Sequence, residues 1–369
     1  NGGSAVSDSV LKVGILSADP LTGMFNPVFH LQATDNAVME DTMAHTFAFD
    51  HSYKLKEDDE DAPVKFHLDK DKKQVTLTIR KDLKWSNNQD VVADDIIATY
   101  ELMGNSKYKD NIRYKSEFET IEGMKAYHEG KAEEISGLKR VDDWTLEVSY
   151  KEFPAGMLQA GGGVSQYIAP KHVLEKIPIA EQEDSDAVRK NPVGNGPFRV
   201  KSVTPGESVT FEANEYYYKG KPKVDGMQLD VVNPSTAVSE MKAGNYDIAK
   251  LSSDEYPTYA DATNFKTLGH WQNAMSYIGF KMGKWNADKK EVEYDPSRVV
   301  SNKALRQAMG YAVDNDAIGQ KFYNGLRTRA NTTIPPVFKG EALTVWIFYE
   351  TVTVFVNEPS IRKDLFRFF

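Results

Sequence analysis

Residues 64–79 set the pattern for much of the chain. Val64, Phe66 and Leu68 are apolar at every second position, and Val75, Leu77 and Ile79 repeat this after the polar run 69–73. A period of two places one apolar face on each strand, so the segment reads as a β-hairpin. The same alternation predicts strands over 144–150 (Trp144, Leu146, Val148, Tyr150), 198–201, 209–213 and 227–231. Short apolar runs add strands at 10–16, 246–249 and 277–282. Helical spacing predicts a helix over 34–47 and a second one capped by Asp94, with Ile96, Ile97, Tyr100 and Met103 on its apolar side. A short helix is expected over 157–160. Asn233 and Pro234 look like the cap and first residue of another, ending at Gly244. Leu305, Ala308, Met309 and Ala312 share one face of a later helix. Asp314 caps the next, which stops at Gly325.

Two turns carry specific chemistry. Thr204-Pro205-Gly206-Glu207 joins two predicted strands: Pro205 presets φ, and Gly206 supplies the positive φ of a type II turn. Asn88 follows Trp85-Ser86-Asn87, and Asn tolerates the left-handed conformation that a tight turn needs there.

Composition narrows the class. At 369 residues the chain can hold two or three domains with sizeable cores. It is 40% hydrophobic and 27% charged, ordinary for a globular protein. A net charge of −9 argues against nucleic acid as a partner and against anionic lipid, since neither is held without a basic surface. With no cysteine, disulfides and thiol catalysis are excluded. The seven histidines form no zinc-binding spacing and read as surface or packing residues. The acidic run 57–61 lacks the ligand spacing of a calcium loop and reads as solvated. Gly161-Gly162-Gly163 is not a phosphate loop, because no Lys-Ser/Thr follows.

Three motifs, in order, resemble one family. Trp85-Ser86 leads to Asp94-Asp95. Gly194-x-Gly196-Pro197-Phe198 precedes Asn214-x-x-Tyr217-Tyr218-x-Gly220-x-Pro222-x-x-Asp225. Arg306-Gln307-Ala308 leads to Ala312-x-Asp314. The chain resembles the extracellular solute-binding proteins of family 5, the peptide-capturing lipoproteins of bacterial ABC importers. The resemblance implies an α/β, periplasmic-binding-protein-like two-lobe fold with an extra small domain and mixed sheets flanked by helices. It implies a flexible leader at 1–9, a large lobe from 10–45 and 165–270, a small domain at 46–164, and part of a second lobe at 271–338. Family pattern is lost after Phe338, so residues 339–369 read as an atypical tail, the product of truncation or a frameshift, and the second lobe as incomplete.

The implied function is non-enzymatic capture of oligopeptides for uptake, with membrane permease subunits as partners and no cofactor or metal. The Gly/Ser-rich start resembles that of a mature lipoprotein whose lipidated Cys precedes it, which would put the protein on the outer face of a Gram-positive cell membrane. Ligand contacts are expected at the rim loop (Asn26, Pro27), the glycine run (Gly162, Gly163) and the segment Trp271, Gln272, Asn273 and Ser276. Trp85, Asp95 and Arg306 read as structural. Alternatives stay open: another cargo on the same fold (nickel, a glycan or a signalling peptide), a remnant with little binding, or a hydrolase with paired carboxylates. For the last, 54 acidic residues make chance pairs inevitable.

Overall fold

A computed structural model describes residues 9–108, 113–154, 156–159, 162–289, 291–330 and 347–356; for 270–275 and 347–356 it gives the backbone only. The chain forms two compact units that meet in sequence at Asn233/Pro234.

The first unit opens with β1 (Val10–Leu16) and α1 (Ala33–Thr42). The hairpin β2 (Val64–Asp69) and β3 (Gln74–Ile79) follows, in the register the alternation predicts, with Phe66 opposite Leu77. Then come α2 (Ala93–Gly104), α3 (Met124–His128), β4 (Leu138–Arg140) and β5 (Thr145–Ser149), and β2–β3–β5–β4 make an antiparallel sheet. Three short helices, α4 (Lys171–Leu174), α5 (Ile179–Gln182) and α6 (Asp186–Arg189), lead into β6 (Phe198–Thr204), β7 (Ser208–Ala213) and β8 (Gly226–Val232). Here β6, β7 and β8 are antiparallel neighbours, and β1 lies parallel to β8. A large core gathers Phe66, Leu77, Trp85, Tyr100, Leu146 and Val148. A smaller one holds Leu21, Phe25, Val38, Val209, Phe211, Met227 and Leu229 against the β1–β8–β7 strands.

The second unit contains α7 (Ala237–Lys242), β9 (Ile248–Leu251), α8 (Tyr256–Tyr259) and β10 (Lys266–Ser276). After these come β11 (Gly283–Asn286), β12 (Glu291–Tyr294), α9 (Lys303–Tyr311), α10 (Asn315–Tyr323), β13 (Arg327–Ala330) and β14 (Ile347–Val356). Strand β14 pairs antiparallel with β9, β10 and β13. The 343–356 stretch therefore supplies a strand to this unit through its described residues.

Several boundaries differ from the sequence expectation, each for a local reason. Helix α1 ends at Thr42 rather than near Phe47, because Gly196 N donates to Thr42 O (2.8 Å) and Asn195 Oδ1 accepts from Ala44 N (2.9 Å), which turns the chain into extended backbone at Met43. Asp94 is not the cap of α2: Val92 is, so the helix starts at Ala93, two residues earlier than a cap at Asp94 implies, and Asp95 reaches back to accept from Val92 N at 3.0 Å. No helix forms over 157–159. Leu158 O accepts from Leu55 N and Gln159 bridges Lys54, so the segment pairs with a strand-like neighbour instead. Helix α7 starts at Ala237, with residues 234–236 in a turn ahead of it. The predicted strand 277–282 is absent. The strand lies at Lys266–Ser276, and its ladder stops where Ser276 meets Phe348 near the start of β14, leaving Tyr277 and Ile278 exposed. The predicted strand at 246–249 falls at 248–251.

Other expectations hold. Gly206 has φ +79 in the β6–β7 turn, and Asn88 has φ 69. Asp314 caps α10 by accepting from Ala317 N (2.9 Å), and Asn324 and Gly325, both left-handed, end it.

The glycines of the Gly-Asn-Gly-Pro entry are explained by close approach. A Cβ on Gly194 would lie 1.9 Å from Thr42 O, and one on Gly196 2.5 Å from Thr42 C. Gly196→Ala should lower unfolding free energy by about 3 kcal/mol, since rigid backbone cannot yield as a side chain could. Gly244→Ala, where nothing lies within 4 Å but φ is +77, should cost about 1 kcal/mol. Urea unfolding of both variants checks the ranking; equal losses would refute the close-approach account.

Candidate functional site

The loop 20–30 is built by one buried carboxylate. Asp35, on α1 and fully buried, accepts from Thr22 N (2.9 Å), Gly23 N (3.1 Å) and Met24 N (3.4 Å), and from the Thr22 hydroxyl. Three amides converging on one carboxyl pin the loop to the helix, which is the strong, charge-assisted kind of hydrogen bond. Further along, Asn26 Oδ1 accepts from Val28 N (2.8 Å), and Asn26 O accepts from His30 N (3.0 Å). The Asn26 side chain is buried and spent on its own loop.

A cavity of about 390 Å³ opens beside this loop within the first unit. Pro27 and His30 line it from the loop, His45 from the segment after α1, Arg113 from the 113–118 stretch, and Gly162, Gly163 and Tyr167 from the glycine run and its continuation. Gly163 has φ +76, and a Cβ there would come within 2.6 Å of Pro154 Cγ, so this wall requires glycine. The structure thus brings Pro27, Gly162 and Gly163 to one cavity. Trp271, Gln272 and Asn273 lie on β10 of the second unit, where the backbone is described, and Ser276 is its exposed last residue.

The electrostatics of the cavity follow from burial. Arg113 Nη2 donates to His30 O at 2.6 Å, which ties the 113–118 stretch to the rim loop. Burial pulls its guanidinium below the usual arginine range, against Tyr167 and Tyr108, yet an arginine stays charged in a protein. Burial, and then Arg113, lower the His30 pKa, so this ring is neutral at pH 7, whereas His45 is exposed. His30 Nδ1 lies 3.1 Å from Asn26 O, and a carbonyl only accepts, so Nδ1 carries the proton and Nε2 is the acceptor. Tyr167, with its ring 5.1 Å from that of His45, has its hydroxyl pushed up to about 12 by burial and then by Glu40. The cavity combines the cations Arg113 and Lys115, the carboxylate of Glu117, neutral donors and acceptors, and apolar walls from Val28, Met103 and Phe118.

The sequence did not single out His30, Arg113 or Tyr167. They are far apart in the chain and belong to no motif, so only the fold assembles them. Among the described residues no cluster of His, Asp and Glu could hold a metal ion, and no helix is long and apolar enough to cross a membrane.

This α/β architecture is that of the substrate-capturing proteins of bacterial importers. Residues 62–349 match the family model of bacterial extracellular solute-binding proteins, family 5 Middle, and the chain belongs to that family. It is 34% identical over 277 residues to the oligopeptide-binding protein OppA of Lactococcus lactis subsp. cremoris (strain SK11), covering 74% of this chain and 46% of that protein. Against the oligopeptide-binding protein AppA of Bacillus subtilis (strain 168) it is 27% identical over 310 residues, 82% of this chain and 50% of that one. The chain spans about half the length of the curated relatives it matches. Among solved structures, lactococcal OppA complexed with an endogenous peptide in the closed conformation superposes with a TM-score of 0.81 at 29% identity, covering 91% of this chain and 64% of that one. AppA of Bacillus subtilis in complex with a nonapeptide gives 0.70 at 21%, covering 89% and 59%, a likeness of fold.

His30 gives the unit a pH dependence with a definite sign. Its folded pKa lies below the unfolded value of 6.5, so the unfolded chain binds more protons as pH falls through 6.5. Its contribution is full above that pH and is lost on acidification toward the folded pKa. Asp41 works in the opposite sense, because burial, and then Glu40, push its carboxyl up to about 7. His30→Asn keeps a donor for Asn26 O but cannot titrate. The stability difference between wild type and this variant, from urea melts at pH 7.5, 6.5 and 5.5, should shift toward the variant as pH falls; a pH-independent difference would contradict the assignment of neutral His30.

Proposed function

We propose that the protein is a non-enzymatic oligopeptide receptor of a bacterial ABC importer, acting outside the cell. The observation that carries this is the 0.81 superposition, over 91% of the chain, on an OppA structure that holds a peptide. In this reading residues 10–45 and 165–270 form the large lobe, 46–164 the small domain and 271–338 part of the second lobe. Residues 1–9 act as a leader that follows a lipidated Cys, and 339–369 as a tail. Asn26, Pro27, Gly162, Gly163, Trp271, Gln272, Asn273 and Ser276 are the proposed ligand-contacting positions. Pro27, Gly162 and Gly163 would face the peptide directly, and Asn26 would act by shaping the loop.

The chemistry of the described cavity supports this reading. A peptide main chain offers alternating donors and acceptors, and affinity drawn from them does not depend on sequence. Neutral His30, Tyr167 and glycine backbone are suited to such pairing, and Arg113 to a carboxylate or carbonyl. The permease subunits of the importer are the proposed membrane partners.

Incubation of the chain with a mixed pool of peptides, followed by mass spectrometry of what it retains, should recover intact peptides. Calorimetry with a retained peptide should then show saturable binding. Arg113→Met should weaken that binding about tenfold, the worth of one charge-assisted hydrogen bond. Recovery of cleaved peptides would replace the receptor with an enzyme, and failure to retain any peptide would remove peptide as the cargo.

A further inference from the structure

The cavity beside the rim loop is small for a whole peptide. At about 390 Å³ it lies near the lower end of ligand-pocket sizes. Its apolar walls, Val28, Met103, Phe118 and Val164, suit the body of one residue. What sets it apart is charge. The molecule as a whole is acidic, at −9, and a field of that sign repels anions. This wall nevertheless presents two cations, Arg113 and Lys115, against one carboxylate, Glu117.

The charged groups around the cavity are held differently. Arg113 is tied to the rim loop through His30 O (2.6 Å). Lys115 is exposed, and among the described residues its ammonium has no ion-pair or hydrogen-bond partner. Other exposed lysines of this unit do find a carboxylate: Lys139 meets Glu147 at 2.9 Å, and Lys190 meets Asp186 at 2.9 Å. Glu117 is two residues from Lys115 but does not pair with it, and its Oε2 accepts from Ser116 Oγ at 3.2 Å. Glu40, which acts on Tyr167 from α1, is engaged by Asn36 Nδ2 at 2.8 Å. The wall therefore keeps a net positive charge, and the Lys115 part of it is unspent.

We infer that this cavity takes a carboxylate, in the receptor reading that of the bound peptide, and that Lys115 is a specificity-determining residue. The assignment rests on the receptor reading and sharpens it. A peptide carbonyl gains one hydrogen bond from a cation. A carboxylate gains a charge-assisted bond and offsets the charge of both cations. It comes either from an acidic side chain of the peptide or from its carboxyl end, and the chemistry at the wall is the same for both. Because Arg113 also holds the rim loop, Lys115 is the cleaner position to change.

Three peptides of one length, titrated into the full chain by calorimetry, test it: Ala-Ala-Gln-Ala-Ala as the amide, the same sequence as the free acid, and Ala-Ala-Glu-Ala-Ala as the amide. At least one charged form should bind about tenfold more tightly than the neutral amide. Preference for the free acid assigns the carboxylate to the chain end, and preference for the Glu peptide assigns it to a side chain. Lys115→Gln removes no bond of the fold and should cut that preference about threefold, the scale of one exposed charge. Glu117→Gln should raise it by a similar factor. Equal binding of all three peptides, or a preference that neither variant moves, would overturn the inference and leave the receptor reading intact. If no peptide binds, the receptor reading falls, and N-acetylphenylalanine is compared with its amide by ligand-observed NMR. Preference for the acid would then sustain the carboxylate site, and equal or absent binding would end it.

Discussion

The contact between the end of the first helix and the Gly194–Gly196 backbone sets the geometry of the first unit. Thr42 O is occupied by Gly196 N, and the space a side chain would need at either glycine is filled by Thr42. The consequences spread along the chain in both directions. On one side α1 stops at Thr42, and Asn195, almost fully buried, directs the extended segment that carries His45. On the other, Pro197 and Phe198 begin β6, with Asn214 Nδ2 donating to Gly196 O (2.8 Å) and Asn214 N to Pro197 O (2.8 Å). A motif that reads as a signature of ancestry is thus a joint. Its glycines permit the approach, and its asparagines replace the backbone partners that the irregular chain gives up.

A second joint repeats the logic with a carboxylate. Asp95 accepts from Trp85 Nε1 (3.2 Å), Val92 N (3.0 Å) and Lys171 N (2.9 Å), so the start of α2, the turn before it and the start of α4 share one anchor. Thr99, one helical turn on, accepts from Ala169 N, and the Tyr100 hydroxyl accepts from Ser165 N. The irregular stretch 165–171 is held by side chains of α2 in place of a strand partner. That stretch borders two cavities: Tyr167 lines the one beside the rim loop, and Ala169 and Lys171 line another, of about 370 Å³, beneath α2. The two joints meet where Ser86 N donates to Gly194 O (2.7 Å). Motifs widely separated in sequence therefore act on the same small region.

This accounts for what the sequence conveyed. Strands and turns that depend on neighbours in the chain were legible: the β2–β3 hairpin, the Pro205-Gly206 turn, the Asp314 cap and the left-handed Asn88. Features set by remote partners were not. The strand expected over 277–282 is displaced because its ladder partner is β14, many residues away, and an apolar run alone does not reveal where pairing stops. The end of α1 is hidden for the same reason, since nothing in residues 34–47 announces Gly196. Asp94 is a cap by residue type, but the helix starts at Ala93 and it is Asp95 that reaches back to Val92 N, a role only Trp85 and Lys171 make clear. Of the expected site residues, Pro27, Gly162 and Gly163 converge because loops carry them. Arg113 and His30 were invisible, since their pairing is a backbone-to-side-chain bond across the fold.

The treatment of buried polar atoms then distinguishes the two cavities. Around the rim loop, Asp35, Asn26 and Asn195 have their acceptors used by backbone amides, so the loop is organised before anything enters. Fixed walls of that kind lower the ordering cost of holding an extended ligand, which is how a general receptor can gain affinity without reading side chains. Beneath α2 the balance differs. Gln182 spends its donors on two carbonyls that α4 and its following turn expose, and this use of the amide forces the oxygen away from them. The short helices α4 and α5 cannot satisfy their own carbonyls over so few residues. The Gln182 oxygen, buried and with no hydrogen-bond partner, is thus a consequence of how the segment ends its helices.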